Sequence, residues 1–359
     1  MLRATRTRRL GPLAGMLLAM GCGARSSLRA PCEIALTRDE PVLVAVIEHS
    51  VGYVVTGPCD AGMGGPTRWD VLSTTFRQTL SALNEDVAMG AVLYPKGGPG
   101  PRRPGLDLSY LCEFDHEQTV PISSRNAGSV LRQIESVDRP SGSQPVFEAL
   151  TAARRLLTAA PWNERQRLVV LGNIGGPLCN VSIPQERCEC MEPVGDCWEA
   201  LPHGIGCNDV DRVEPLIQTM RSEGIETFVI GMSCPAPTFT IPIRNLDRMA
   251  IAGGLPRPDG PYRFYLSVEH DAIQRGVEDV VLPRAYCHLR AARPPQGDEA
   301  LVLVDPDDRQ IARDLTRRDG WDWTDTTHGR LELFGPACTS VARARRTLRL
   351  RTVDARCLP

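Results

Sequence analysis

Thirteen cysteines and six histidines are the residues of this 359-residue chain best equipped for chemistry. Cys179, Cys188, Cys190, Cys197 and Cys207 crowd one segment, and Cys234 follows it. At such density thiols either hold zinc or pair as disulfides, according to the redox compartment. The Cys188-x-Cys190 spacing is too tight for a common zinc pair, and no histidine pair follows within a helical turn. Among the histidines, His116 stands between Asp115 and Glu117, the pattern of a solvated acidic loop. His49 adjoins Ser50, but neighbours on a strand end point apart, and no nucleophile-elbow motif surrounds the serine. The glycines at 62–65 lack the lysine of a phosphate-cradling loop. Asp305-Pro-Asp-Asp308 reads as a β-turn in preference to a weak calcium loop. The residues therefore predict no enzyme.

The N-terminus selects the disulfide reading. Arg3, Arg6, Arg8 and Arg9 precede a short apolar stretch over residues 10–21, the pattern of an export signal too short to span a bilayer. It ends at Ala19-Met20-Gly21-Cys22, which is similar to a bacterial lipobox, in which the cysteine thiol takes a lipid and the leader is cut before it. Ala19-x-Gly21 also suits ordinary signal peptidase, so both cleavages stay open. Setting Cys22 aside leaves an even twelve: Cys32, Cys59, Cys112, Cys179, Cys188, Cys190, Cys197, Cys207, Cys234, Cys287, Cys338 and Cys357. Six in the crowded zone suffice for three bridges. Cys59 with Cys112, Cys338 with Cys357 and Cys32 with Cys287 are candidate partners, although spacing alone does not fix connectivity.

Composition is that of a soluble globular protein, with 42% hydrophobic and 23% charged residues and a net charge of −2. No basic stripe with interleaved aromatics appears, which excludes a nucleic-acid partner. Of 41 basic residues, Lys96 alone is lysine.

The elements that must carry these residues alternate. Residues 41–47 form a continuous apolar run, the mark of a parallel strand buried on both faces. Thr67 and Asp70 open a helix carrying Trp69, Leu72, Phe76, Leu80 and Leu83 at helical spacing. Residues 87–94, 168–171, 225–230 and 262–266 read as further strands. Residues 144–158, a segment through Val210, Val213, Ile217 and Met220, and residues 244–253 and 269–281 read as helices. That grammar predicts an α/β fold: a doubly wound, mostly parallel, Rossmann-like sheet covered on both faces. From 285 onward short strand-like runs at 301–304, 330–334 and 347–351 alternate with turns and helical periodicity fades, predicting a small β-rich appendage.

The order of elements resembles a von Willebrand factor A (vWA) domain. Thr67-Arg-Trp-Asp70, Gly224-Ile-Glu-Thr-Phe-Val-Ile-Gly231 and Leu246-Asp-Arg-Met-Ala-Ile-Ala-Gly-Gly254 are similar to segments of bacterial exported members. The tail, with Trp321-Asp-Trp323, Gly335-Pro-Ala-Cys338 and Cys357, resembles myxobacterial-type lipoproteins of this kind. The resemblance implies a divalent cation such as Mg²⁺ at the carboxyl ends of the strands, held by an Asp-x-Ser-x-Ser loop, a threonine and a later aspartate. Carried onto this chain, those positions are Glu48, Ser50, Gly52, Gln144 and Asn173. One possible anion remains of two and two hydroxyls are lost, so the expectation is a degenerate adhesion site and no cofactor.

The domain expectation is a signal peptide over 1–21, a tether over 22–38, a vWA-like domain over 39–284 with a cysteine-rich insertion at 174–208, and a β-rich region over 285–359. The functional expectation is an adhesion module of the cell envelope, lipid-anchored to the outer membrane, that binds a protein or surface polymer. A passive structural envelope lipoprotein is the alternative, and an enzyme of unknown type the third reading.

Overall fold

The computed structural model describes residues 33–50, 66–96, 112–115, 118–137, 142–173, 176–180, 183, 187–189, 206–232, 240–296 and 300–352. Cys22, Cys32, Cys59, Cys190, Cys197, Cys234 and Cys357 lie outside the described residues, as do the leader, the glycines at 62–65 and His116.

Six strands form the main sheet: β3 (Val42–Glu48), β4 (Ala88–Tyr94), β5 (Thr119–Ser124), β6 (Arg167–Asn173), β7 (Ile225–Gly231) and β8 (Tyr265–Leu266). Their spatial order is β5-β4-β3-β6-β7-β8. All pairings are parallel except that of the edge strand β5 with β4. Every residue of β3 and β4 is buried, because helices cover both faces. On one face Leu43, Ala45 and Ile47 meet α1 (Arg68–Ala82), α2 (Ala127–Glu135) and α6 (His270–Cys287) through Leu72, Phe76, Val130, Ile134, Ile273 and Val277. On the other, Val42, Val44 and Val46 meet α3 (Val146–Thr158), α4 (Val210–Ser222) and α5 (Thr240–Gly253) through Leu150, Leu157, Val213, Ile217 and Met249.

The predicted class is therefore the observed one, with local agreement in detail. Thr67 caps α1 through the expected reciprocal bonds: its side chain accepts from the Asp70 amide at 3.1 Å, and Asp70 accepts from the Thr67 amide at 2.8 Å. Gly172 lets α1 lie close on the sheet, since a Cβ there would stand 2.5 Å from Phe76 Cε2. The predicted strand at 262–266 shrinks to Tyr265–Leu266. β5 and α2 are not among the expected elements: β5 is interrupted by Pro121, and α2 is nine residues long, although Ala127, Val130 and Ile134 lie on one helical face.

Two four-stranded antiparallel sheets complete the fold. One has the order β1 (Glu33–Ile34), β14 (Arg349–Thr352), β10 (Leu301–Val304), β11 (Gln310–Ile311). The other runs β12 (Gly320–Asp325), β13 (Arg330–Phe334), β9 (His288–Ala291), β2 (Leu36–Arg38). Residues 33–38, expected to end a tether, thus pair with the far end of the chain: Glu33 faces Arg351 and Thr37 faces Arg290. Two further corrections concern the tail. α6 continues through Pro283 to Cys287, and a helix, α7 (Gly335–Arg343), stands where helical periodicity was expected to vanish. Trp321, Leu331, Leu333 and Leu350 join the same core cluster as Leu43 and Phe76, so apolar burial is continuous from the main sheet into the small ones.

Candidate functional site

Register places the key residues in one row. Glu48 pairs with Tyr94, Ile47 with Gly172 and Asn173 with Gly231, so the carboxyl ends of β4, β3, β6 and β7 finish level. The chain steps from β3 to β4 on one side and later to β6 on the other. That reversal is the place where open parallel sheets offer a crevice for ligands. Strand alternation sends the Glu48, Tyr94 and Asn173 side chains to the face that carries α3 and α4.

In this crevice the polar groups satisfy one another. Ser50 donates its hydroxyl to Glu48 Oε1. Asn173 Nδ2 donates to the Tyr94 phenol oxygen at 3.1 Å, and Asn173 Oδ1 accepts the Gly176 amide at 2.5 Å. Glu48, Ser50, Tyr94 and Asn173 are all buried. Burial pushes the Tyr94 phenol well above its ordinary value, the Glu48 charge adds to the rise, and the Asn173 bond opposes it. Tyr94 is therefore a neutral hydroxyl at any physiological pH. In the sequence it stands out only as a strand end.

The donor set does not suit a hard divalent cation, which needs near-octahedral oxygen ligation rich in carboxylates and hydroxyls. One carboxylate is present, and it already receives Ser50. At 173 the only oxygen is held by a backbone amide, while the nitrogen is committed to Tyr94. Gln144 is buried and its Oε1 has no partner among the described residues, but one neutral amide does not replace two lost hydroxyls. Among the described residues, no group of three or more His, Cys, Asp or Glu side chains is arranged to hold a metal.

Two other residues singled out by sequence, His49 and Asp305, are engaged in structural contacts among the described residues. His49 Nε2 is 3.1 Å from Gln118 Oε1, and the ring meets Trp69 edge-on at 6.0 Å between centroids. Burial lowers its affinity for a proton, with the Gln118 bond opposing. Asp305 is a turn residue: its Oδ1 accepts the amides of Asp307 and Arg309 at 2.9 and 3.0 Å, and Oδ2 meets Arg346 at 2.6 Å.

Two disulfides staple the rim of the crevice and a third ties the far end of α6, in a pattern that corrects the expected partners. Cys112 pairs with Cys179 instead of Cys59, drawing the segment after β4 to the one after β6. Cys188 pairs with Cys207 inside the insertion. Cys287 pairs with Cys338, not with Cys32 or Cys357, and ties α6 to α7. The described residues of the insertion are hydrogen-bonded to the domain. Glu189 accepts from Asn208 Nδ2 at 2.6 Å and from Arg244 at 2.8 Å, and the Leu178 amide donates to the Gln144 carbonyl at 3.3 Å. Beside this rim, Phe114, Phe147, Glu148, Thr151, Ala152 and Arg155 line a depression of about 330 Å³. Arg212 lies 4.0 Å over the Phe147 ring and pairs with Glu148 at 2.6 Å.

No family description and no curated protein matches the chain. Among solved structures it is similar to an aerotolerance-related membrane protein from Bacteroides fragilis, with 12% identity and a TM-score of 0.39, over 67% of this chain and 99% of that one. It is similar to the vWF domain of the type V pili tip protein Mfa5 from Porphyromonas gingivalis, with 9% identity and a TM-score of 0.43, over 68% and 97%. The pilus adhesin SpaC from Lactobacillus rhamnosus GG aligns with 87% of this chain but only 39% of its own, at 10% identity and a TM-score of 0.45. Likeness at this level transfers neither activity nor partner.

Proposed function

We propose that this chain is an exported binding module of the cell envelope, anchored through a lipid on Cys22. It would hold a protein or surface polymer on the loop face at the carboxyl ends of its parallel strands, without a bridging metal. The observation that carries this reading is the contrast within one face. The Glu48–Tyr94–Asn173 row is buried and internally bonded, so it offers no ligand an open coordination position. Beside it, bridges join Cys112 to Cys179 and Cys188 to Cys207 next to a partly apolar depression. A surface ordered by bridges costs little further entropy when a partner binds, which is what a recognition surface requires.

The test is crosslinking of the disulfide-intact chain in the envelope of its native host, with and without chelator. The expected result is a captured component whose yield is unchanged by chelator. That yield should fall in Arg155→Glu, at an exposed position lining the depression, with the thermal midpoint retained. Capture that vanishes with chelator would restore a metal-bridged mechanism. Capture of nothing would favour the passive structural role.

A further inference from the structure

The opposite end of the main sheet carries a different kind of feature. Gln166, Arg167, Arg221, Gly224, Glu226 and Arg284 line a cavity of about 320 Å³. These residues come from the entrances of β6 and β7, the C-terminus of α4 and the last turns of α6. At a rise of about 3.3 Å per residue, the length of β6 separates this cavity from the Glu48 row by about 20 Å.

Three guanidinium groups here face one carboxylate. Arg284 is committed: it pairs with Glu226 and donates to the Val280 carbonyl. Arg167 donates through Nη2 to the Glu223 carbonyl, and its Nε is buried with no hydrogen-bond partner among the described residues. The Glu223 carboxylate is shared: Arg154 Nε engages it at 2.7 Å, and the Arg167 charge also helps hold it below its ordinary value. The Arg221 side chain makes no hydrogen bond or ion pair among the described residues, yet it is held in place by packing. Its guanidinium crosses Gly254 so closely that a Cβ there would stand 2.6 Å from Nε. Part of this excess charge complements helix C-termini, each equivalent to about half a negative charge. Arg154, Arg167, Arg221 and Arg284 against Glu223, Glu226 and two such ends leave about one positive charge around the cavity.

We propose that this cavity is a binding site for a phosphate group, with Arg167 and Arg221 as its ligands. Arginine forks match the paired oxygens of phosphate, and a phosphate carries the one to two negative charges the site lacks. The prior packing of Arg221 over Gly254 reduces the ordering cost of binding. Two sources present this chemistry: a free phosphate compound and a phospholipid headgroup. The cavity lies where the chain enters the main sheet, since the Val42 amide donates to the Gln166 carbonyl at 2.8 Å.

Calorimetry of the disulfide-intact chain with inorganic phosphate, against chloride at matched ionic strength, tests the site. Flotation with vesicles of phosphatidylcholine, alone or mixed with phosphatidylglycerol, separates the two sources. Saturable phosphate binding marks a free phosphate compound, and phosphatidylglycerol-dependent flotation marks a headgroup. Losing one charge-assisted contact corresponds to about tenfold or more, so Arg221→Ala should weaken the positive arm by that factor, with partial recovery in Arg221→Lys. The Arg221 side chain is exposed and makes no ion pair among the described residues, and the thermal midpoint reads whether its packing on Gly254 matters for folding. Arg167→Gln gives the independent second variant. No phosphate-specific heat together with no phosphatidylglycerol dependence overturns the proposal, as does binding that neither variant alters.

Discussion

Tyr286 donates its phenolic proton to Asp86 Oδ1 at 2.7 Å, joining residues 200 positions apart. Asp86 is buried in the turn before β4, and Arg38 of β2 and Arg345 after α7 approach the same carboxylate at 3.6 and 3.2 Å. Arg38 also lies 4.6 Å over the Tyr286 ring. One side chain thus fastens the small sheets to the main one. Burial raises the Tyr286 phenol above its ordinary value, and the Asp86 bond and charge add to the rise.

Asp86→Ala should therefore destabilise the chain by about 2–3 kcal/mol, because it strands a phenol and two guanidinium groups at once. The lower end of the usual range applies because both arginines are more than one-third exposed and partly hydrated. Tyr286→Phe, which deletes only the donor, should cost about 1 kcal/mol. Denaturant midpoints of the two variants decide this, and equal costs would contradict the shared role assigned to Asp86.

Removing the Cys287–Cys338 bridge should cost more than any single polar contact. It closes a loop with a sequence separation of 51, and the entropy returned to the unfolded chain corresponds to about 3–4 kcal/mol. The double serine variant should unfold at a lower denaturant concentration with α7 and β12 losing amide-exchange protection first. Uniform loss of protection across the main sheet would argue against α7 as the element the bridge holds.

The rim contains a carboxyl group that folding holds against its preference. Burial raises Asp209 to about 7, with the Arg212 charge opposing the rise and Glu148 adding to it. An unfolded aspartate releases its proton near the ordinary value of 3.8, so between there and about 7 the folded state alone keeps it. Stability from this group therefore falls as pH rises through that window and is flat above it. Asp209→Asn should gain relative to the parent chain on going from about pH 5 to about pH 8, by up to about 1.4 kcal/mol for each pH step of one below the folded value. A pH-independent difference between the two would show that Asp209 is not held protonated.

Gly172→Ala tests the close approach of α1 to the sheet. The added carbon would meet Phe76 Cε2 at 2.5 Å, Cζ at 3.0 Å and Leu72 Cδ1 at 3.3 Å. Overpacking of this kind costs about 1–3 kcal/mol. Phe76→Leu in the same chain should recover part of the loss, since it removes the offending ring atoms. Double-mutant analysis by thermal or chemical unfolding measures the coupling, and strict additivity would refute the contact.

Local pattern made the α/β class legible. The apolar run ending at Ile47 and the Thr67–Asp70 cap depend on burial periodicity and on hydrogen bonds across three residues, which any stretch of sequence displays by itself. Glu48, Ser50 and Asn173 at or just after strand ends, and Gln144 ahead of α3, were legible through a resemblance. Tertiary structure decided what they do there: the Asn173 oxygen goes to Gly176, and Tyr94 supplies the partner that no spacing rule pointed to. It also decided that Cys112 joins Cys179, and that Glu33 and Thr37 pair with strands near the other end of the chain. The physical reason is that loop-closure entropy rises only logarithmically with length. Sequence separation therefore hardly biases the choice among distant partners, and shape, free strand edges and unmet polar groups make that choice after the local elements exist.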